Sequence, residues 1–242
     1  MDNAVSFKPI KTNIFRKGQS ISDFIVDNIE NNLVHNSMIL AVTSKIVSLS
    51  EGRLVSKESI SKAALIESEA DHNFGEVGYG CYLTIKHGLF IPSAGIDESN
   101  SENGDYILYP KDPFASARNI WLELRSRWKI NNLGIVITDS HTTPLRRGVT
   151  GISLAHWGFR GVRSMIGTPD LFGRELQMTS INVADGLAAG ATLFMGEGGE
   201  CQPLAYIGNA DVTFVDEVDP QEVCMPLLDD LYFPFFKRTF DL

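Results

Sequence analysis

Runs of lysine and arginine are missing from this sequence: 21 basic side chains are scattered against 30 acidic ones, for a formal net charge of -9. Recognition of a nucleic-acid backbone needs clustered positive charge, so that class of partner is excluded. No apolar run approaches the roughly 20 residues that a membrane-spanning helix requires. The opening MDNAVSFKPIKTNIFRKGQS has neither the basic start nor the apolar centre of a signal peptide, so a cytoplasmic protein with no membrane partner is expected. Cysteine is scarce, and Cys81, Cys201 and Cys224 form no CxxC pair. Neither a zinc site nor a disulfide framework is implied, and three buried free thiols in a reducing compartment are expected. Repeats, low-complexity tracts and Pro- or Ser-rich linkers are absent as well, which predicts one unit spanning residues 1–242. With 43% hydrophobic residues, that unit has enough apolar surface for one large core or two modest ones.

What is present reads as a mixture of helices and strands. Residues 20–31 carry apolar groups at helical spacing, with Ser22 as the expected cap. Met38 to Val42 reads as a buried strand running into a polar turn at Thr43 to Lys45, a common place for a ligand. SKESISKAALIESEAD has the composition of an amphipathic helix. The glycine-rich stretch after it predicts a hairpin, with strands near Cys81 to Ile85 and Leu89 to Pro92. Asp112 caps a predicted helix that has Pro113 in its first position. LGIVITDS predicts a strand stopping at an acidic residue, GISLAHWGFRGVRSM is broken by glycine and fits no single element, and an Ala-rich helix is expected from about Ile181 to Met195. Helices and strands do not alternate strictly, which points to an α+β fold rather than a doubly wound parallel sheet. The aromatic ending LLDDLYFPFFKRTFDL is expected to be tied down, on its own core or on another subunit.

Three acids stand at the ends of apolar segments: Asp97 in SAGIDESN, Asp139 in GIVITDSH and Glu197 in LFMGEGGE. With the hydroxyl of Ser140 they form a set of hard oxygen donors suited to Mg²⁺ or Mn²⁺, although each alone is more often a turn former or a helix cap. The segment MGEGGECQP lacks the Lys and Ser/Thr of a phosphate loop. It reads either as a helix stop at Gly196 or Gly198, or as a loop whose backbone approaches a nucleotide. Lys11, Arg16, Lys45, Arg53, Arg146 and Arg147 are the cations available to neutralise phosphate, with a solvated surface pair as the alternative for the last two. The histidines, at positions 35, 72, 87, 141 and 156, form no HExxH or HxH pattern, and only His141, two residues beyond Asp139, is a candidate for more than a polar role.

Spacing cannot bring such distant acids together, but resemblance can. The blocks TSKIVSLSEGRLV, HGLFIPSAGIDESN, YPKDPFASA, IVITDSHTTPLRRGVTGISLAHWGFRG and DLFGRELQMTSINVADGLAAGATLFMGEGGECQP, in this order over roughly the last four-fifths of the chain, resemble the coenzyme F420-0:gamma-glutamyl ligases. The resemblance implies an α+β fold with mixed and antiparallel sheets, two lobes and an intertwined homodimer with its active site near the interface. It implies a GTP-dependent ligase that phosphorylates a carboxylate of the F420 precursor and lets the amine of L-glutamate attack the acyl phosphate, using two Mn²⁺ or Mg²⁺ ions and K⁺. By the same resemblance Asp97 and Asp139 match the ligands of one metal, and Ser140 and Glu197 those of the other. Pro9, Ile10, Lys11, Thr12, Ser44, Lys45, Asn100 and the stretch 195–202, with Met195, Gly196, Gly198 and Gly199, match nucleotide-contacting positions. Asp97, Asp139, Arg146 and Arg147 are the expected catalytic groups, since positioning and electrostatics dominate phosphoryl transfer.

The chain departs from the family pattern at Leu49, where many members carry Lys, at Gly186, where an acid is common, and at Lys86, where an Arg often stands. The segment between Glu51 and His87 is also shorter than usual. These changes spare the proposed metal ligands and bear on substrate and nucleotide preference. They leave two other readings: an amide ligase that activates a different carboxylate, and a GTP-binding protein without turnover.

Overall fold

The computed structural model describes residues 4–240, with the side chains of 238–240 left aside. The chain begins with strand β1 (Ser6–Ile10) and helix α1 (Ile21–Asn28). The cap of α1 is Ser20, whose Oγ accepts from Asp23 N at 3.2 Å, and not Ser22, which is buried inside the helix. Starting at Ile21 places Phe24 and Ile25 together on the core face. Strand β2 (Met38–Thr43) follows, and the expected polar turn after it is instead the first turn of helix α2 (Ser44–Ser50), which buries Ile46, Val47 and Leu49.

Beyond strand β3 (Leu54–Val55), helix α3 (Lys62–Glu69) is half as long as the amphipathic composition suggests, because Ser61 caps it and residues before Ser61 form turns. The expected hairpin is present as β5 (Cys81–Lys86) and β6 (Leu89–Pro92), joined by a third strand, β4 (His72–Gly78). Strand β7 (Tyr106–Ile107) precedes helix α4 (Pro113–Trp128), which Asp112 caps by accepting from Ala115 N at 2.9 Å. Strand β8 (Leu133–Thr142) does not stop at Asp139. It shifts register between Ile137 and Thr138 and stays paired with β9 (Val149–Trp157) as far as Thr142 opposite Val149. A short pair, β10 (Val162–Ser164) and β11 (Ser180–Asn182), leads into helix α5 (Val183–Met195), capped by Asn182. Strand β12 (Leu204–Gly208) and helix α6 (Phe233–Phe240) complete the described elements.

The large sheet has the order β1-β12-β2-β8-β9, with β2 and β8 parallel and the other neighbours antiparallel. Both its faces are covered, and the sequence of β2 shows why it reads as an unbroken apolar run. Met38, Leu40 and Val42 join the core formed with α1, α2 and α4, while Ile39 and Ala41 face α5 on the other side. Trp121 of α4 fixes its layer by donating Nε1–H to Leu133 O at 2.8 Å. A separate small cluster of Leu65, Ile66, Ile96, Tyr106 and Leu108 holds α3 against the turn that precedes Asp97. The fold is thus α+β with mixed and antiparallel sheets. Among the described residues no helix is long and apolar enough to cross a membrane. The aromatic C-terminus packs on its own chain, Phe236 lying 5.1 Å from Phe90 and 6.3 Å from Phe74 between ring centres; Asp241 and Leu242 lie outside the described residues. The thiols are less buried than expected, since Cys201 is exposed and Cys81 and Cys224 are half-buried.

Two glycines of opposite character show how closely α5 approaches β9. A Cβ at Gly151 would lie 2.4 Å from the carbonyl oxygen of Ala188, whereas one at Gly186 would meet nothing within 4 Å. Gly151→Ala is therefore expected to destabilise the protein by about 1–3 kcal/mol through overpacking. Gly186→Ala is expected to stabilise it by roughly 0.5–1 kcal/mol by restricting the unfolded chain. Urea unfolding of both variants checks this, and equal shifts of the same sign would contradict the packing described.

Candidate functional site

The parallel pairing of the large sheet ends where β2 stops and β8 runs on beside β9. Thr43 of β2 pairs with Thr138 of β8, so Ser44 and Lys45 leave the sheet next to Asp139 and Ser140. The space beyond the carboxyl ends of parallel strands is where open sheets hold ligands. Asp97 reaches the same place from another direction. It exchanges backbone hydrogen bonds with Ile107, both 2.9 Å, after a tight turn through Ser93, Ala94 and Gly95, all at positive φ. A side chain at Gly95 would strike the Tyr109 ring at 2.1 Å, and that close packing sets Tyr109 beneath the site. The Tyr109 hydroxyl donates to Asp139 Oδ2.

The charges that meet here perturb one another. Asp139 is half-buried, and loss of solvent around its carboxyl pushes it from 3.8 up to about 6; the Asp97 charge also raises it, while the Tyr109 hydroxyl, the Ser140 N–H and Lys45 act against the rise. Burial and the Asp139 charge hold the Tyr109 phenol well above its usual range, so it remains a donor. For Asp97 burial again acts upward, but Lys45 and Ser99 outweigh it and leave the carboxyl below its ordinary value. Lys45 Nζ lies 2.6 Å from Asp97 Oδ2 and donates to Ser99 Oγ at 3.1 Å, and Ser99 N donates to Asp97 Oδ1 at 2.6 Å. Partial burial raises Glu197, with the Ser140 hydroxyl and Lys45 opposing.

Two cavities open from this centre, of about 670 and 400 Å³, and Lys45, Asp97, Asp139 and Ser140 line both. The larger is bounded by the glycine-rich stretch 195–203, in which Gly196 ends α5 at a φ of 81°, and by Thr12, whose N–H donates to Cys201 O at 2.9 Å. Ser44, Asn100, Met195, Gly196, Glu197, Gly198 and Gly199 all line the larger cavity.

Other expected residues are placed elsewhere. Ile10 is buried in the main core, Pro9 is paired with Ala205 in the sheet, and Lys11 lines neither cavity, so Thr12 alone represents that segment. Arg146 and Arg147 lie exposed in the connection between β8 and β9 and line neither cavity. Arg53 is held by Glu69 at 2.8 Å and by the Tyr109 carbonyl at 2.9 Å, which makes it a structural cation rather than a phosphate ligand. Arg16 does line the larger cavity, paired with Glu102. His141 lines the smaller one and lies 3.1 Å through Nδ1 from the Thr150 carbonyl. Sequence reasoning missed Tyr109, whose burial against Asp139 has no local signature, and it missed Ser99, although an Asp-x-Ser spacing is a recognisable signal for a side chain accepting from the backbone two residues on.

Among the described residues no three His, Cys, Asp or Glu side chains are grouped closely enough to hold a metal ion as they stand. The Lys45 ammonium stands against Asp97 at 2.6 Å, where it neutralises one of the carboxylates. The donors nevertheless suit a hard divalent ion: three carboxylates and a hydroxyl border one cavity. One of the carboxylates, Asp139, is half-buried with its acidity weakened, and takes hydrogen bonds from a phenol and a backbone N–H.

Known proteins resemble this chain along most of its length. The family described as F420-0:Gamma-glutamyl ligase matches residues 9–209, which begins earlier than the blocks legible by eye and stops before the aromatic C-terminus. A coenzyme F420:L-glutamate ligase of Methanosarcina acetivorans is 30% identical over 233 residues, covering 89% of this chain and 90% of its own. The protein of the same name from Methanocaldococcus jannaschii is 32% identical over 219 residues, 83% of this chain and 86% of its own. That from Archaeoglobus fulgidus is 31% identical over 224 residues, 82% and 85%.

Proposed function

Because the chain belongs to the F420-0:gamma-glutamyl ligase family, we propose that it joins L-glutamate to the carboxylate of the coenzyme F420 precursor at the expense of GTP. One observation carries this reading: Asp97, Asp139 and Ser140 form a wall shared by two cavities, with the glycine-rich stretch and Glu197 on the larger side. A ligase of this kind must hold a triphosphate and two further reactants around one point, and a shared polar wall supports that arrangement.

In the proposed sequence a carboxylate oxygen of the precursor attacks the γ-phosphorus of GTP, and the bond to the bridging oxygen of GDP breaks. The amine of glutamate then attacks the acyl carbon, phosphate leaves with the bonding pair, and the amine proton passes to solvent or a nearby carboxylate. Two Mn²⁺ or Mg²⁺ ions on Asp97, Asp139, Ser140 and Glu197, with K⁺ nearby, would neutralise the oxygens of the transferred group. Lys45 contributes charge to the same oxygens. Backbone N–H groups of Gly196, Gly198 and Gly199 are available to the phosphates, and Asn100 to the remainder of the nucleotide. The exposed positions of Arg146 and Arg147 favour a role only where a second subunit or a closing loop brings them in.

A homodimer with two-lobed subunits belongs to this reading. It is supported by the excursion between β10 and β11, where Leu171, Phe172 and Met178 are 99%, 83% and 84% exposed. Sedimentation equilibrium reads the subunit mass, and a monomer at micromolar concentration would remove the dimer from the proposal. The cytoplasm supplies GTP and a reducing environment, in keeping with exposed Cys201.

Incubation with GTP, Mn²⁺, K⁺, L-glutamate and the deazaflavin precursor tests the activity. GDP is expected to appear only with the precursor and in step with a product heavier by one glutamyl residue. Leu49 favours one alternative, since an apolar side chain stands in the wall of the larger cavity where the family commonly has a cation. GDP release with another acid and not with the precursor would establish that alternative, and tight GTP binding with no turnover would establish a sensor. Gly186 lies on the exposed face of α5 outside both cavities, so that departure touches no proposed contact.

A further inference from the structure

The smaller cavity is lined by a cation that the larger does not share. Beside Asp97, Asp139 and Lys45, which line both, its wall holds Lys62, the first residue of α3. Lys62 Nζ lies 2.5 Å from Glu98 Oε1, while Lys57 holds Glu98 Oε2 at 2.8 Å and also sits 5.1 Å over the Tyr106 ring. Two cations thus share one carboxylate. Lys57 alone matches the charge of Glu98, so an anion entering the cavity could draw Lys62 from Glu98 and leave that carboxylate still paired. Glu98 follows Asp97 directly in the chain, and Asp97 in turn holds Lys45. The two ion pairs, Lys45 with Asp97 and Lys62 with Glu98, are thus anchored on consecutive residues of one segment. Ile91, Pro92 and Ile96 form an apolar side between them.

Resting on the ligase reading above, the geometry points to the smaller cavity as the site of the incoming amino acid, with Lys62 binding its carboxylate. A free amino acid carries an amine and a carboxylate separated by one carbon, and a dicarboxylic one adds a second anionic end on a short apolar stem. In this cavity the amine lies toward Asp97 and Asp139, where the acyl carbon would be presented, and the carboxylate lies toward Lys62. The methylene groups run along Ile91, Pro92 and Ile96. Nucleotide occupies the larger cavity, so both reactants meet at the common wall from opposite sides. Lys62 acts here as a specificity-determining residue, because a charged hydrogen bond to one reactant is lost without altering the groups that transfer phosphate.

The test uses the whole protein and two readouts. Isothermal titration with L-glutamate in the presence of GDP and Mn²⁺ is expected to show Lys62→Met weakening glutamate binding by roughly ten- to a hundred-fold, with Lys62→Arg recovering most of it. Val149→Trp, at a half-exposed position lining only the smaller cavity, is expected to weaken glutamate likewise and to leave GDP affinity within two-fold. Unchanged glutamate affinity in both variants overturns the assignment, as does weakening of the deazaflavin precursor in place of glutamate. Exchange of ¹⁸O between bridging and non-bridging positions of GTP, driven by the precursor without glutamate, reads acyl phosphate formation separately. Its absence in the parent counts against the ligase mechanism, while its persistence in Lys62→Met beside lost glutamate binding supports both.

Discussion

Asp139→Asn is expected to lower the rate of ligation by roughly 10²–10³-fold or more while making the metal-free protein more stable near neutral pH. The two effects have one cause. Asp139 is half-buried in the shared wall of both cavities, and loss of solvent pushes its carboxyl from 3.8 up to about 6. A carboxyl whose folded value is raised binds its proton more tightly in the native state than in the unfolded chain. Its favourable contribution is present below about 4 and is lost as pH rises through 6, so above 6 the native state bears the full cost of a buried anion. The difference corresponds to about 3 kcal/mol. Asparagine keeps an acceptor for the Tyr109 hydroxyl and carries no charge, so the variant escapes that cost. Urea unfolding of parent and variant between pH 4 and 8, without divalent ions, should give curves that converge at the acid end and separate above 6. Added Mn²⁺ should then stabilise the parent and not the variant, because only the parent keeps the carboxylate proposed to hold the ion. Parallel stability curves, or turnover within a few-fold of the parent, would remove Asp139 from the centre of the site.

Much of the scaffold was legible because burial writes itself into sequence. Met38 to Val42 is an unbroken apolar run since the sheet is covered on both faces, and Asp112 with Pro113 announces α4 through the chemistry of helix starts. Where tertiary pairing decides, local pattern failed. The polar residues Asp139 to Thr142 continue a strand only because β9 lies alongside them. In α2 serine interrupts the apolar positions, and the helix forms because Ile46, Val47 and Leu49 have a core to meet.

The site divides in the same way. Position at the ends of apolar segments singled out Asp97, Asp139 and Glu197, and the structure brings all three to one cavity. Their convergence was beyond reach of the sequence, for it depends on the register that sets Thr43 against Thr138 and on the bridge from Asp97 to Ile107. Basic residues were least legible of all. Nothing in their spacing separates Arg53, locked to Glu69, or Arg146 and Arg147, left in solvent, from Lys45 at the centre.

Lys45→Met is expected to move two affinities in opposite directions. Methionine preserves most of the length and apolar stem, so packing beneath the cavity survives, but the contacts to Asp97 Oδ2 and Ser99 Oγ disappear. In the protein without nucleotide the Lys45 ammonium occupies Asp97 and lends its charge to Asp139 and Glu197, thereby competing with any cation for the same oxygens. Removing it should tighten Mn²⁺ binding in the absence of nucleotide, by roughly ten-fold, as one charge-assisted contact ceases to compete. In the proposed nucleotide site the same ammonium would be a ligand for the phosphates, so GTP affinity should fall by roughly ten- to a hundred-fold. Mn²⁺ titration followed by electron paramagnetic resonance, with and without GDP, separates the two effects. A purely structural lysine would weaken both affinities through a disturbed fold, and a lysine outside the site would change neither. Only a cation placed between the acids and the phosphate position reverses sign between the two measurements.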